Sequence, residues 1–257
     1  MTRSPVVIKV GGNEVDDAAW LRDLAAAAAR IPSAVFVHGG GREVTELQRT
    51  LGAEPEWRDG LRYTGPEALR SVSMVLSGVV NKRIVAALLS AGIDAVGISG
   101  EDGALLRARM LRGGALGRTG EVAAVRGGLL RTMLDAGLTP VVSPVSRGED
   151  GGPLNVNADE AAAAVAAALG AAELLLVSNV AGVFDGEERV LREIRRSEVE
   201  ALITTGTASG GMIPKLRAAS RALEGGAGAV RIGGIAMLGD PSAGTRLCRD
   251  GSSMAAA

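Results

Sequence analysis

The chain has 257 residues, enough for one large domain or two fused halves, and its hydrophobic content of 47% with only 2% aromatic residues predicts a core of small aliphatic side chains. A formal net charge of −1 argues against a nucleic-acid binder, which would need a basic face. The single cysteine, Cys248, excludes an internal disulfide and a cysteine-based metal cluster, and it fits a cytoplasmic protein.

The first part of the chain twice repeats a strand, a glycine loop and a helix. An apolar run at residues 6–10 stops at Gly11-Gly12, and Asp16 or Asp17 can cap a helix that reaches about Arg30. A second apolar run at 34–37 leads into glycines 39–41 and another helix. This order is typical of a parallel sheet covered by helices.

The rest of the chain continues the alternation. Residues 66–90 have apolar side chains at helical spacing and predict one long helix, whereas the glycine-rich stretch 104–127 predicts antiparallel hairpins. Strands are expected at 95–98, 139–143, 174–178, 229–232 and 245–248, and helices at 129–136, 157–169, 196–204 and 211–224.

No targeting or membrane segment is expected. The start of the chain passes directly into the first strand pattern, without a signal peptide. The most apolar stretch, residues 161–172, is shorter than the roughly 20 residues of a membrane span and predicts a buried helix. The tail 251–257 is expected to fray. A boundary near residue 170 would divide two α/β halves, 1–170 and 171–257, although nothing in the composition marks it.

Lysine is rare in this chain. Of 28 lysine and arginine residues only three are lysines, namely Lys9, Lys82 and Lys215. Two of them, Lys9 and Lys215, lie in glycine-rich surroundings, where a compact charge beside exposed backbone amides suits a phosphate site. Codon bias is the alternative explanation for the scarcity of lysine. However, lysines left at random positions would not occur preferentially in glycine-rich loops. For Lys82 a surface or dimer contact is the better interpretation.

Several familiar sites are excluded by missing residues. No Gly-Lys pair exists for a P-loop, and a Gly-x-Gly-x-x-Gly fingerprint is absent after the early strands. His38 and the glycines that follow it resemble an esterase oxyanion loop, but His38 is the only histidine, so none is left for a catalytic triad or a zinc site.

The groups that remain are two lysines, glycine loops with exposed amides and some carboxylates. They suit electrostatic catalysis of phosphoryl transfer, which depends on positioning and charge neutralisation. Asp159 could hold the lysines charged and oriented, or it could serve only the dipole of its helix. Arg62 could clamp a carboxylate, or be one solvated arginine among many. Asn155 could donate to a polar substrate, or belong to a local turn.

Six motifs in order resemble the amino-acid kinase family over residues 6–224. The resemblance is specific because the motifs occur together at matching spacing. They are Lys9-Val-Gly-Gly12, Val37-His-Gly-Gly-Gly41, Asp59-Gly-Leu-Arg-Tyr-Thr64, Gly78-Val-Val-Asn-Lys82, Leu154-Asn-Val-Asn-Ala-Asp159 and Gly210-Gly-Met-Ile-Pro-Lys215.

The resemblance implies an α/β/α sandwich around an open, mostly parallel sheet, with substrate in the N-terminal half and nucleotide in the C-terminal half. It implies that Lys9 and Lys215 stabilise the transferring phosphoryl group and that Asp159 orients both lysines. The implied γ-phosphate ligands are the amides of Gly11, Gly12 and Gly40, and the implied substrate ligands are Gly40, Gly41, Arg62 and Asn155. The implied ATP site comprises Asn179, Val180, Ala181, Gly182, Val183, Phe184, Thr207, Ala208 and Ser209.

Within the family, the chain is most similar to the members that phosphorylate the side-chain carboxylate of N-acetyl-L-glutamate in arginine biosynthesis. This implies ATP with Mg²⁺, no protein metal ligands, and no nucleic-acid or membrane partner. Because no helix fits before the first strand, we expect a homodimer without arginine feedback. Two departures, Asn179 for a frequent Asp and Glu101 for a frequent Lys, avoid the phosphoryl site, and the region after Ala229 departs more.

Three alternatives stay open at this stage. A kinase for carrier-linked or otherwise N-acylated glutamate or aminoadipate would differ by a methylene, worth only about 1–3 kcal/mol of discrimination. A catalytically silent ligand-sensing domain could use the same scaffold, although both lysines are present. A nucleotide-binding structural subunit would leave Arg62 and Asn155 without a role.

Overall fold

The structure is a computed structural model that describes residues 4–11, 14–58 and 60–251. It has one large sheet in the order β11-β13-β12-β10-β1-β2-β8-β6-β7-β9, with β5 added beside β8, and a separate β3-β4 hairpin. The strands are β1 (Val6–Val10), β2 (Ala34–His38), β3 (Trp57–Arg58), β4 (Leu61–Arg62), β5 (Ala95–Gly100), β6 (Leu106–Met110), β7 (Thr119–Val125), β8 (Thr139–Gly148), β9 (Pro153–Val156), β10 (Glu173–Val177), β11 (Glu193–Arg195), β12 (Ala229–Gly233) and β13 (Thr245–Cys248).

Helices cover both faces of this sheet. One face packs against α5, α6 and α8, and the other packs against α1, α2 and the long helix α3–α4. The helices are α1 (Ala18–Ala28), α2 (Gly41–Thr50), α3 (Pro66–Val72), α4 (Asn81–Ser90), α5 (Gly127–Asp135), α6 (Ala158–Leu169), α7 (Val199–Thr204) and α8 (Met212–Glu224). The predicted α/β/α sandwich with a mostly parallel sheet is therefore confirmed.

The central strands are parallel and buried on both faces. Strand β1 pairs in parallel with β10 on one side and β2 on the other, so the two sequence halves share one sheet. Successive residues of β1 face opposite helical layers, with Val7 in one core and Ile8 in the other. Burial on both faces explains why these strands occur in the sequence as continuous apolar runs.

The carboxyl ends of β1, β2 and β10 lie side by side because these strands are parallel neighbours. The loops that follow them therefore collect at one edge of the sheet, which is where ligands bind in open α/β sheets. Asp17 caps α1 by accepting hydrogen bonds from the amides of Ala19 and Trp20. Asn157 caps α6 in the same way, through the amides of Asp159 and Glu160.

The long helix contains an irregularity that periodicity did not predict. Between α3 and α4, residues Ser73–Val80 form a π-helical segment, so Pro66–Ser90 is continuous but changes pitch. A π segment inside an α-helix frequently marks a functional site.

Four short strands, β3, β4, β9 and β11, were also absent from the sequence prediction. The β3-β4 hairpin and β11 contain only two or three residues per strand, too few to show alternation. Strand β9, in contrast to the turn considered for Asn155, pairs with both β7 and β8. Strand β8 continues five residues past its expected end at 143, to Gly148.

The helix Pro66–Ser90 is long and apolar enough to cross a membrane by length and composition, with a mean hydropathy of 1.6. The core helix of a soluble protein can pass the same test. Here Val72, Ile84 and Leu88 are buried in the core beside the sheet, so one face of the helix belongs to the packed sandwich.

Candidate functional site

Three charged residues from three distant segments meet at the sheet edge. Lys9 is near the end of β1, Asp159 is in the first turn of α6, and Lys215 is in the first turn of α8. The Lys9 Nζ lies 2.9 Å from Asp159 Oδ1, and the Lys215 Nζ lies 3.2 Å from both carboxylate oxygens. We call these three residues the charged triad.

The charged triad is nearly dry. The side chains of Lys9, Asp159 and Lys215 are 6%, 8% and 13% exposed. Burial would raise the pKa of Asp159, but the positive charges of Lys9 and Lys215 outweigh it and hold that pKa below its usual range. Burial, reinforced by the charge of Lys9 and opposed by Asp159, lowers the pKa of Lys215 to about 8.

Two ammonium groups against one carboxylate leave this site with an excess positive charge. An unbalanced buried charge is costly unless a partner neutralises it. The charged triad is therefore an anion site, and it is preorganised because Asp159 holds both lysines before an anion arrives.

A cavity of about 260 Å³ opens on one side of the triad. Its lining includes Lys9, Asp159 and the four residues that the family resemblance implies as substrate ligands, Gly40, Gly41, Arg62 and Asn155. The size suits a small metabolite. We call it the acceptor cavity.

Arg62 is held firmly at the acceptor cavity. It is 7% exposed, and its Nη2 donates to Gly41 O at 3.0 Å and to Thr45 Oγ1 at 2.8 Å. Its Nη1 donates to Gln48 Oε1, and its guanidinium stacks 4.6 Å from the Trp57 ring centroid. Burial lowers the pKa of Arg62, which nevertheless stays charged at any physiological pH. This arginine is not the solvated surface charge that its abundance in the chain suggested.

Asn155 also lines the acceptor cavity and is fixed by hydrogen bonds. Its Nδ2 donates to Thr64 Oγ1 at 3.0 Å, and Thr64 is hydrogen-bonded in turn to Thr119. This buried polar network joins β9 and β7 to the segment after the β3-β4 hairpin.

A larger cavity of about 710 Å³ opens on the other side of the triad. Its lining includes all three triad residues and most of the predicted ATP residues, namely Gly11, Asn179, Val180, Val183, Phe184, Thr207, Ala208 and Ser209. Ala181 and Gly182 do not line it, and a side chain at Gly182 would collide with Val190 and Thr245. Gly12 lies outside the described residues. We call this the nucleotide cavity.

The two cavities share Lys9, Trp57, Asn157 and Asp159 in their linings. A group passing from one bound molecule to another would therefore pass beside the charged triad. Sequence reasoning missed Trp57 as a wall residue, although a tryptophan beside a family motif in a chain with 2% aromatics was a usable signal. It also missed Glu14, which lines the nucleotide cavity beside Gly11.

The chain is similar to a known family and to several named proteins. The profile of the amino acid kinase family matches residues 4–234. An acetylglutamate kinase of Roseiflexus sp. (strain RS-1) is 54% identical over 233 residues, 90% of this chain and 88% of the relative. One from Roseiflexus castenholzii is 51% identical over 236 residues, 90% of each chain.

Among solved structures, smu.665 from Streptococcus mutans UA159 superposes with a TM-score of 0.84 at 28% identity, covering 96% of this chain and 99% of that one. The matching profile spans most of the chain, and the relatives align along nearly their whole length. The chain therefore belongs to the amino acid kinase family.

Proposed function

We propose that this protein transfers the γ-phosphoryl group of ATP to the side-chain carboxylate of N-acetyl-L-glutamate, a step of arginine biosynthesis, in the cytoplasm. The observation that carries this proposal is the meeting of a small and a large cavity at one preorganised anion site. Relatives at 54% and 51% identity are named acetylglutamate kinase, which supports the same substrate.

The acceptor cavity supports a small N-acylated dicarboxylate. Arg62 offers a planar, charged donor for the α-carboxylate, and Asn155 offers an amide for a polar group of the substrate. A carrier protein would have to reach the site through the mouth of a cavity of only about 260 Å³. This favours a free metabolite over the carrier-linked alternative.

The chemistry needs no general base, because a side-chain carboxylate with a pKa near 4.3 is already ionised at neutral pH. One carboxylate oxygen forms a bond to the γ-phosphorus while the bond to the bridging β,γ-oxygen breaks, giving an acyl phosphate and ADP. Lys9 and Lys215 offset the negative charge on the phosphoryl oxygens, and Asp159 holds both ammonium groups in place. Gly40 and Gly41 line the acceptor cavity.

Mg²⁺ would arrive with the nucleotide. Within residues 4–11, 14–58 and 60–251 no cluster of three or more His, Cys, Asp or Glu could hold a metal. Mg²⁺ commonly binds substrate phosphates plus one or two carboxylates, and Glu14 supplies one such carboxylate in the nucleotide cavity. When bound, the ion would neutralise charge on the β- and γ-phosphates.

The decisive experiment is a hydroxylamine trap for acyl phosphate, with ATP and Mg²⁺. The acceptors compared are N-acetylglutamate, N-succinylglutamate, free glutamate and N-acetylaminoadipate. We expect N-acetylglutamate to give the highest kcat/KM and Lys215→Ala to abolish most of the hydroxamate. A preference for N-acetylaminoadipate would mean that the longer compound is the substrate. The absence of hydroxamate with all four acceptors would refute the proposed kinase activity.

We further propose that the protein is a homodimer. Met74, Val79 and Leu89 of the long helix are 50%, 51% and 50% exposed, and β5 beside this helix pairs only with β8 among the described residues. A second copy would cover both features. Gel filtration should give the mass of a dimer that Val79→Glu weakens, whereas Leu51→Glu, at an apolar residue that is 59% exposed and directly follows α2, should not weaken it. A monomeric or hexameric wild-type mass would contradict this.

A further inference from the structure

His38 lies at the centre of a chain of hydrogen bonds beneath the acceptor cavity. Its Nδ1 lies 2.9 Å from Gly39 O, and its Nε2 lies 3.1 Å from the Nδ2 of Asn81. Lys82 bonds to the Oδ1 of Asn81 at 3.1 Å and to Gly97 O at 2.9 Å. We call Lys82, Asn81 and His38 the loop relay.

The relay has one consistent assignment of protons. The ammonium of Lys82 can only donate, so the Asn81 atom that it contacts is the carbonyl oxygen. The amide nitrogen of Asn81 then donates to Val141 O at 2.9 Å and to His38 Nε2. Nε2 is therefore the unprotonated nitrogen, and Nδ1 carries the proton that is donated to Gly39 O.

The surroundings keep this histidine neutral. His38 and Asn81 are both 0% exposed. Burial lowers the pKa of His38 to about 4, and the charges of Lys82 and Lys9 act in the same direction against the bond to Gly39. A neutral ring retains one donor and one acceptor, so both ends of the relay stay satisfied at physiological pH.

The carbonyl that His38 holds belongs to the peptide unit just before Gly40. Gly40 has φ +154°, and a Cβ there would lie 2.7 Å from Leu76 Cδ2 and 3.1 Å from Val80 Cγ2. The loop is thus pressed against the π-helical segment on one side and tied to His38 on the other. The π segment ends at Val80, immediately before Asn81, and therefore sets where the Asn81 amide points.

We propose that His38 is a positioning residue, aligned by Asn81 and Lys82, that fixes the peptide unit between Gly39 and Gly40 so that the amide of Gly40 is held in place at the acceptor cavity. The proposal rests on the proposed function, because it assigns the relay to that same site. It gives Asn81 and Lys82 a task that neither surface exposure nor dimer contact explains. His38 touches no reacting atom and is not catalytic.

Gly97 gives independent support for the relay. A Cβ on Gly97 would lie 2.0 Å from Asn81 Oδ1 and 2.7 Å from Lys82 Nζ. Strand β5 therefore has no side chain where the relay passes, and its carbonyl anchors the lysine.

The first test reads the tautomer directly and does not depend on activity. His38 is the only histidine in the chain, so ¹⁵N-histidine labelling gives a single pair of ring nitrogen signals. We expect protonated Nδ1 and unprotonated Nε2 at neutral pH, and Asn81→Leu should shift the Nε2 signal more than the Nδ1 signal. A protonated Nε2 or a charged ring would overturn the assignment.

The second test separates the two bonds of His38 by kinetics. His38→Asn keeps a donor at the Nδ1 position, whereas His38→Gln extends towards Asn81 and loses the donor to Gly39. We expect His38→Gln and His38→Leu to lower kcat by about 10- to 100-fold, in line with the effect of misplacing reacting groups by an ångström. His38→Asn should recover most of the loss, and KM for ATP should change less than about twofold in all three.

Leu88→Ala is the matched control, because Leu88 is a buried core residue on the same long helix. It should lower the unfolding midpoint without lowering kcat at 25 °C. Equal kcat for His38→Asn and His38→Gln would reduce His38 to a packing role. If the wild-type protein forms no acyl phosphate, the proposed function fails, but the tautomer of His38 measured by NMR still tests the loop relay. If His38→Leu does not fold, the comparison of His38→Asn with His38→Gln tests the positioning role.

Discussion

The two lysine-containing clusters of this protein are built on opposite principles. The charged triad concentrates two cations and one anion in a nearly dry site, whereas the loop relay ends in an exposed lysine and passes inward through two neutral groups. In the first, under the proposed function, charge would be the functional property, because it would meet the charge of a transferring phosphoryl group. In the second, neutrality keeps directional hydrogen bonds in one arrangement without adding another buried cation.

The difference teaches which substitutions each cluster tolerates. The triad should depend on charge and on the compact shape of the ammonium group. The relay should depend on which atom donates and which accepts. The predictions below test this contrast from the largest expected effect to the smallest.

Removal of a triad ammonium should have the largest effect. Lys9→Ala and Lys215→Ala should each lower kcat by about 10²- to 10³-fold, as loss of one preorganised donor commonly does. Lys215→Arg should stay well below wild type, because a guanidinium is a wide fork rather than a point charge. Steady-state assays of ADP release provide the measurement. Full turnover by Lys215→Ala would contradict the role of the triad.

Arg62→Ala should act mainly on binding of the acceptor. Loss of a charged hydrogen-bond pair corresponds to about 1.5–3 kcal/mol, so KM for N-acetylglutamate should rise about 10- to 100-fold with a smaller change in kcat. Arg58→Ala is the control, because Arg58 lies on the same hairpin but is bonded to Glu56 and stacked over Tyr63. Equal KM changes for both variants would point to the hairpin rather than to Arg62.

The triad should also limit activity at alkaline pH. The pKa of Lys215 is lowered to about 8, and only the protonated amine is a cation, so kcat/KM for ATP should fall about tenfold per pH unit above that value. Bound phosphates add negative charge, so the limb for kcat should lie at higher pH. Asp159→Asn removes the opposing carboxylate and should move the kcat/KM limb to lower pH. If Asp159→Asn did not move the alkaline decrease in kcat/KM, that decrease would not report the titration of Lys215.

Lys82→Met should have the smallest effect. Asn81 keeps its bonds to Val141 and His38, and the lost contact of an exposed ammonium is worth about 0.5–1 kcal/mol. This converts to a decrease in kcat of about two- to fivefold. Lys82→Arg, which preserves the charge, should come closer to wild type. A decrease in kcat for Lys82→Met as large as that for Lys215→Ala would contradict the difference proposed between the two clusters.

Sequence reasoning reached the strands, most helices and the triad by different routes. Buried parallel strands such as β1 and β10 are continuous apolar runs and could be predicted locally. The triad was found through the scarcity of lysine and the order of motifs, but its distances depend on contacts 56 and more residues apart. The hydrogen bond from Lys82 to Gly97 O could not be predicted, because Gly97 is brought near only by packing of the long helix against β5.

Elements with few residues, or with an altered helical pitch, could not be predicted from the sequence pattern. The β3-β4 hairpin is defined by two residue pairs, and Ser73–Val80 has the apolar pattern of an ordinary helix. Arg62 was ambiguous for a related reason. Its burial comes from Thr45, Gln48 and Trp57, which belong to other segments, so its own neighbours in sequence do not show it.

The position of Asp159 between two lysines has a further chemical consequence. The proposed product, an acyl phosphate, is an acylating agent, and it would form beside two primary amines. An amine attacks such a group only when it is deprotonated, and the carboxylate of Asp159 favours the protonated form of Lys215. The contact that orients Lys215 therefore also opposes the drop in its pKa that burial causes, and limits the fraction of free amine beside the proposed product.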